Sequence, residues 1–129
     1  MRIELWCLVV VALWGAGLIM LEIVGKTKIL GPQWNAGNRE DTKQVFPAWI
    51  ERTGRALHNH KENFPLFATA VLVVHLAGRS DNISAIAAVV YVAARATHGI
   101  VYIAGITVLR TLVFLIALAA CLVIVSRLL

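Results

Sequence analysis

The sequence predicts an all-α integral membrane protein, a single domain over residues 1–129 folded as a four-helix bundle, and three observations carry that prediction. Of its 129 residues 60% are hydrophobic, and the mean hydropathy is +0.80, too apolar for a soluble domain of this length. Long apolar runs recur along the whole chain and leave no room for a separate soluble domain. The lysines and arginines, finally, gather mostly in one connection between those runs.

Each element follows in order. Leu5 to Leu21 is an uninterrupted run of apolar residues and glycine, which predicts a first span at about 4–24. Its place behind Arg2 is also that of a signal peptide. Against this, the run is longer than a usual signal core, no small-x-small cleavage site follows it, and Lys26 and Lys28 form a stop-transfer flank. Gly25 to Gln44, with Gly31-Pro32, Asn35 and Gly37-Asn38, reads as a loop. Phe64 to Ala77 is short alone, but its helix extends back through polar residues to Ala48, after Pro47, giving a second span at about 48–77. Pro65 lacks a donor and crowds the Lys61 carbonyl, so a bend is expected there. Ile83 to Ala94, interrupted only by Ser84, opens a third span at about 83–105, and Thr111 to Val125 centres a fourth at about 109–128.

Charge sets the expected orientation. Lys26, Lys28, Arg39 and Lys43 lie between the first two spans, with Arg52 and Arg55 at the mouth of the second; the other side has only Arg2, Arg79 and Arg127. The positive-inside rule places that connection in the cytoplasm and both termini on the far side. The pI of about 9.8 is therefore topological. No aromatic-basic interleaving accompanies it, and nucleic acid is not an expected partner.

One stripe within the second span is out of place in a bilayer. At about 100° per residue, Arg52, Arg55, Asn59 and Glu62 fall within roughly 80° of one another. The third span returns to the same depth with Arg95, His98 and Tyr102 on one face, Tyr91 a turn earlier, and Arg110 opens the fourth span there. Interhelical hydrogen bonds and snorkelling arginines can produce single instances of this kind without any chemistry. A convergence of arginines, an amide, a carboxylate, an imidazole and a phenol exceeds what packing requires. Arg55, Arg95 and Arg110 suit carboxylates, Glu62 suits an ammonium, and Asn59 can read a peptide group through donor and acceptor together. The expected ligand is small, zwitterionic and net anionic, reached from the cytosol, with a lipophilic second substrate drawn from the bilayer.

Other residues carry less. His58 and His60 point to different helix faces and lie in no H-x-x-x-H or H-E-x-x-H pattern, so no metal is expected. His75 reads as interfacial or packing, and Cys7 and Cys121 as small apolar fillers without a disulfide framework. A small multidrug-type exporter would need a membrane-central carboxylate in the first span, where Glu4 and Glu22 lie at the ends.

The run from Glu51 to Phe67 resembles the second-helix signature of the MAPEG proteins, membrane-associated proteins in eicosanoid and glutathione metabolism. Their pattern E-R-x-x-R-A-x-x-N-x-x-E, often continued by F-P-L-F, is met by Glu51, Arg52, Arg55, Ala56, Asn59 and Glu62, then Phe64 to Phe67. Arg95, His98 and Tyr102 resemble the family's R-x-x-[HY]-x-x-x-Y, and Arg110 resembles the arginine that starts the fourth helix. The resemblance implies a homotrimer binding glutathione between subunits near the cytoplasmic face. It assigns glutathione binding to Arg55, Asn59 and Glu62, with His98 and Tyr102 lining the pocket, joined by Arg95 and His58. Arg110 would stabilise the thiolate with Tyr102 beside it, and Lys28 is the placed match for the family's first-helix basic residue, Lys26 close behind. His58 stands where some members have arginine, Asn63 where the leukotriene-forming members have tyrosine, and Tyr102 to Arg110 is one residue off the usual spacing. The implied activity is conjugation of glutathione, as cosubstrate, to a lipophilic electrophile or reduction of lipid hydroperoxides. The alternative is a non-catalytic member that binds lipids or a partner protein.

Overall fold

The structure, a computed structural model, describes residues 1–39 and 44–129. Lys43 of the basic connection lies outside the described residues. The described chain is helical, with α1 (Ile3–Leu30), α2 (Pro32–Ala36), α3 (Ala48–Leu76), α4 (Asn82–Ala104) and α5 (Thr107–Ser126). Helix α1 runs past the expected end of the first span. Its extension carries the Glu22–Lys26 ion pair at 2.6 Å, one turn apart. It stops at Gly31, whose φ of 87° suits glycine, and Pro32 then opens the short helix α2 inside the expected loop. Helix α3 starts directly after Pro47 and continues through Pro65.

Three helices, α1, α4 and α5, are long and apolar enough to cross a membrane, and the protein is an integral membrane protein. Helix α3 is as long as 29 residues, yet its charged first half keeps it outside that group. It packs on α1, α4 and α5, while α4 also packs on α5 and α1. The core draws on α1, α3, α4 and α5, with the rings of Phe67 and Tyr91 stacked 3.9 Å apart at 5°, and it includes both Cys7 and Cys121 as buried free cysteines. Large apolar side chains such as Leu13, Ile86 and Leu122 stay on the outside, as expected where lipid is the solvent.

Small residues set how near the helices come. A Cβ built on Gly15 would stand 2.5 Å from His60 Nε2, and one on Gly99 would stand 2.7 Å from Trp14 Cζ2. Helix α1 can therefore lie against α3 and α4 only because these positions lack side chains.

The end holding both termini is tied by polar contacts. Arg2 Nη1 donates to the Ser80 carbonyl at 2.8 Å. The Ser84 hydroxyl donates to the buried Glu4 carboxylate at 2.5 Å, and Arg127 Nε donates to Asp81 Oδ2 at 2.9 Å. Asp81 also caps α4 by accepting from the Ser84 N–H at 2.9 Å. That backbone hydrogen bond is the main reason the Asp81 carboxyl sits below the usual carboxylate range; a desolvation penalty opposes it, and Arg127 adds to it.

Two outcomes are expected. Gly15→Ala should lower stability by about 1 to 3 kcal/mol through overpacking on His60, whereas Gly17→Ala, with nothing within 4 Å of the added Cβ, should raise the thermal midpoint slightly through the better helix propensity of alanine. Because the Asp81 pKa is depressed on folding, its contribution is fully present above the unfolded carboxylate pKa and is lost as pH falls through the folded one. Thermal midpoints of wild type and Asp81→Ala should therefore differ at neutral pH and converge in acid.

Candidate functional site

At the opposite end, α1, α3 and α4 line an open crevice of about 690 Å³. Its α3 wall carries Glu51, Arg55, His58, Asn59 and Glu62, its α1 wall Glu22 and Lys26, and Tyr102 closes it from α4. A second notch of about 240 Å³ lies between α4 and α5, lined by His98, Arg110, Thr111 and Phe114 together with Asn59 and Tyr102. Asn59 and Tyr102 thus form a common wall. The crevice and the notch that contains Arg110 share those two side chains.

The aromatic ring of Tyr102 is held from both sides. His98, 2% exposed, meets it edge-on with centroids 5.5 Å apart at 66°, and the Arg110 guanidinium carbon stands 4.5 Å over its face. Arg110 makes no ion pair among the described residues, so its charge remains available to a ligand. The α3 charges are open as well. His58 Nε2 lies 3.3 Å from Glu62 Oε1 with side chains 77% and 62% exposed, and Arg55 Nη1 is only loosely paired with Glu51, at 4.0 Å.

The structure redistributes three of the expected residues. Arg52 leaves the stripe: its Nε donates to the Ile103 carbonyl at 2.7 Å, capping the C-terminus of α4 beside Gly105, whose φ is 83°. Arg95 is 2% exposed and lies behind the crevice, donating from Nη1 to Asn59 Oδ1 at 2.9 Å. Lys28 borders a different groove, with Ile23, Val24, Thr27 and Gly31. The α1 cation in the crevice is Lys26, since the two lysines are about 200° apart around the helix. His60 faces away from His58 and packs beside Gly15 and Phe64.

Glu22, Phe46 and Gly54 are among the site residues that sequence reasoning missed, with Ile50 in the crevice and Thr111 and Phe114 in the notch. Lys26 Nζ lies 5.6 Å from the Phe46 ring centroid, and a Cβ on residue 54 would stand 3.1 Å from Glu22 Oε1. Gly54 therefore leaves the room that Glu22 occupies. The four-residue spacing of Glu22 and Lys26 was the available signal. With cations, carboxylates and an amide around one cavity, the crevice is suited to a small zwitterion rather than to a neutral lipid.

Compared with family models, residues 4–129 match the MAPEG family. The chain belongs to the MAPEG family. Neither the curated proteins nor the solved structures contain a match. Membership covers essentially the whole of this MAPEG protein, so the crevice, the notch and the apolar helices all fall inside the family match.

Replacing Arg52 by methionine should remove the cap on α4 while leaving the crevice walls in place. The expected cost in thermal or denaturant unfolding is about 1.5 to 2 kcal/mol, the lower part of the range for a charged donor because Arg52 is half-buried.

Proposed function

We propose that this MAPEG protein is a glutathione-dependent membrane enzyme, conjugating glutathione to a lipophilic electrophile or reducing lipid hydroperoxides. The observation that carries the reading is the common wall: the charged crevice and the Arg110 notch meet at Asn59 and Tyr102. Arg55 and Lys26 suit the carboxylates of glutathione, and Glu22 or Glu62 its ammonium. A thiol with pKa near 8.5 is mostly protonated at cytosolic pH, and a guanidinium beside it favours the thiolate. Arg110, held over Tyr102, supplies that charge. In the transfer reaction the sulfur electron pair forms the new carbon–sulfur bond, and the leaving group departs with the pair of the bond that breaks.

The same reading makes α3 a fourth span, with the α1–α3 connection in the cytoplasm and both termini on the far side. It also calls for a homotrimer. Arg55, His58 and Glu62 side chains are 57%, 77% and 62% exposed, and charges at membrane depth need cover. A neighbouring subunit supplies that cover, and the mass in detergent should correspond to three chains.

Thiolate absorbance in the ultraviolet tests the chemistry. Glutathione bound to the wild-type protein should show the thiolate band near neutral pH. Arg110→Ala should lose the band and about a hundredfold or more in turnover of an aryl halide or lipid hydroperoxide, while glutathione still binds. Full thiolate signal and full turnover in Arg110→Ala would remove Arg110 from the reaction. Saturable glutathione binding by the wild type without turnover of either class would favour the non-catalytic, lipid- or partner-binding alternative.

A further inference from the structure

The Arg95–Asn59 contact bears on which way round the site reads its ligand. Arginine has five N–H donors and no acceptor, so the Asn59 atom 2.9 Å from Arg95 Nη1 is necessarily the side-chain oxygen. Asn63 Nδ2 approaches that oxygen at 3.5 Å while donating to the Asn59 backbone carbonyl at 2.8 Å. Turning the amide over would set its NH₂ group against two sets of donors. The orientation of Asn59 is therefore fixed from behind, and its Nδ2 has no partner among the described residues. Asn59 meanwhile lines both the crevice and the Arg110 notch.

Arg95 is an expensive means to this end. It is 2% exposed, its Nε is buried without a hydrogen-bond partner, and no carboxylate lies within ion-pair distance among the described residues. Leaving a buried charge without a counter-charge destabilises a fold. Stability alone therefore does not account for Arg95 at this position.

We propose that Arg95 is a positioning residue that fixes the polarity of the site: with Arg95 on one lone pair of the Asn59 oxygen and Asn63 approaching the same atom, the unpartnered Nδ2 is what Asn59 presents, so the ligand atom opposite is an acceptor. This inference rests on the glutathione reading. In glutathione the acceptor is a peptide carbonyl or a carboxylate oxygen, and not a peptide N–H. The sequence alone allowed Asn59 to use donor and acceptor together; the structure leaves it the donor.

Calorimetric titration with glutathione, applied to a set of variants, tests it. Arg95→Met should weaken affinity about tenfold or more, Arg95→Lys should recover part of the loss, and Arg95→Met should cost nothing further in an Asn59→Ala background. Asn59→Asp keeps the shape, replaces the donors by acceptor oxygens and gives Arg95 a counter-charge. It should lose more affinity than Asn59→Ala and yet unfold at a higher temperature, a gain that disappears when Arg95→Met is added. The affinity and unfolding temperature of Asn59→Asp, compared with Asn59→Ala, test the inference even if Arg95→Met fails to fold. Wild-type affinity in Asn59→Asp, or additive losses from Arg95→Met and Asn59→Ala, would overturn the inference while leaving the glutathione reading standing. A wild-type protein that binds no glutathione would overturn both.

Discussion

A polar group taken out of water must find a partner, because an apolar interior offers none, and most of this structure is arranged around that demand. Arg52 meets it at the Ile103 carbonyl, Arg95 at Asn59, and Glu4 at the Ser84 hydroxyl. These contacts tie α3 to α4 at one end and α1 to α4 at the other. Arg55, His58, Glu62 and Arg110, which border the crevice or its adjoining notch, are met only by exposed pairings or by a ring face. The site is a region where the charges of the chain stay accessible.

Placement of those groups depends on apolar packing elsewhere. Stacking of Phe67 on Tyr91 fixes α3 against α4, and the bare backbone at Gly15 and Gly99 lets α1 lie close to both. Since the crevice side chains rise mainly from helices rather than loops, their positions inherit this rigidity. Tyr102 shows the effect at short range: its ring meets His98 edge-on and carries the Arg110 guanidinium over its face.

Much of this was legible in the sequence because membrane helices announce themselves through long apolar runs, and three of the runs correspond to helices able to cross a bilayer. Helical spacing also brought Asn59, His98, Tyr102 and Arg110 to one neighbourhood, which the notch contains. Spacing gives a direction around one helix but not the identity of its neighbour. Arg52 shares the stripe of Arg55 and Asn59, yet the end of α4 lies within its reach and takes it. Arg95 points toward the same region but stops one layer behind it, because Asn59 stands in between. Lys26 and Lys28 were indistinguishable by charge alone; only the extension of α1 to Leu30 decides which of them faces α3. The short helix α2 was hidden for a related reason, since Gly31-Pro32 marks a stop and a start equally well.

The central claim is that the crevice binds a zwitterionic thiol peptide through its charged ends. Calorimetric titration of the detergent-purified, full-length protein with glutathione, alongside glutathione whose carboxylates are esterified, tests it most directly. Saturable heat with glutathione and at least tenfold weaker binding of the ester is the result the cations of Arg55 and Lys26 predict, at about 1.4 kcal/mol per factor of ten. Absence of binding by glutathione, or equal binding of the ester, would contradict it.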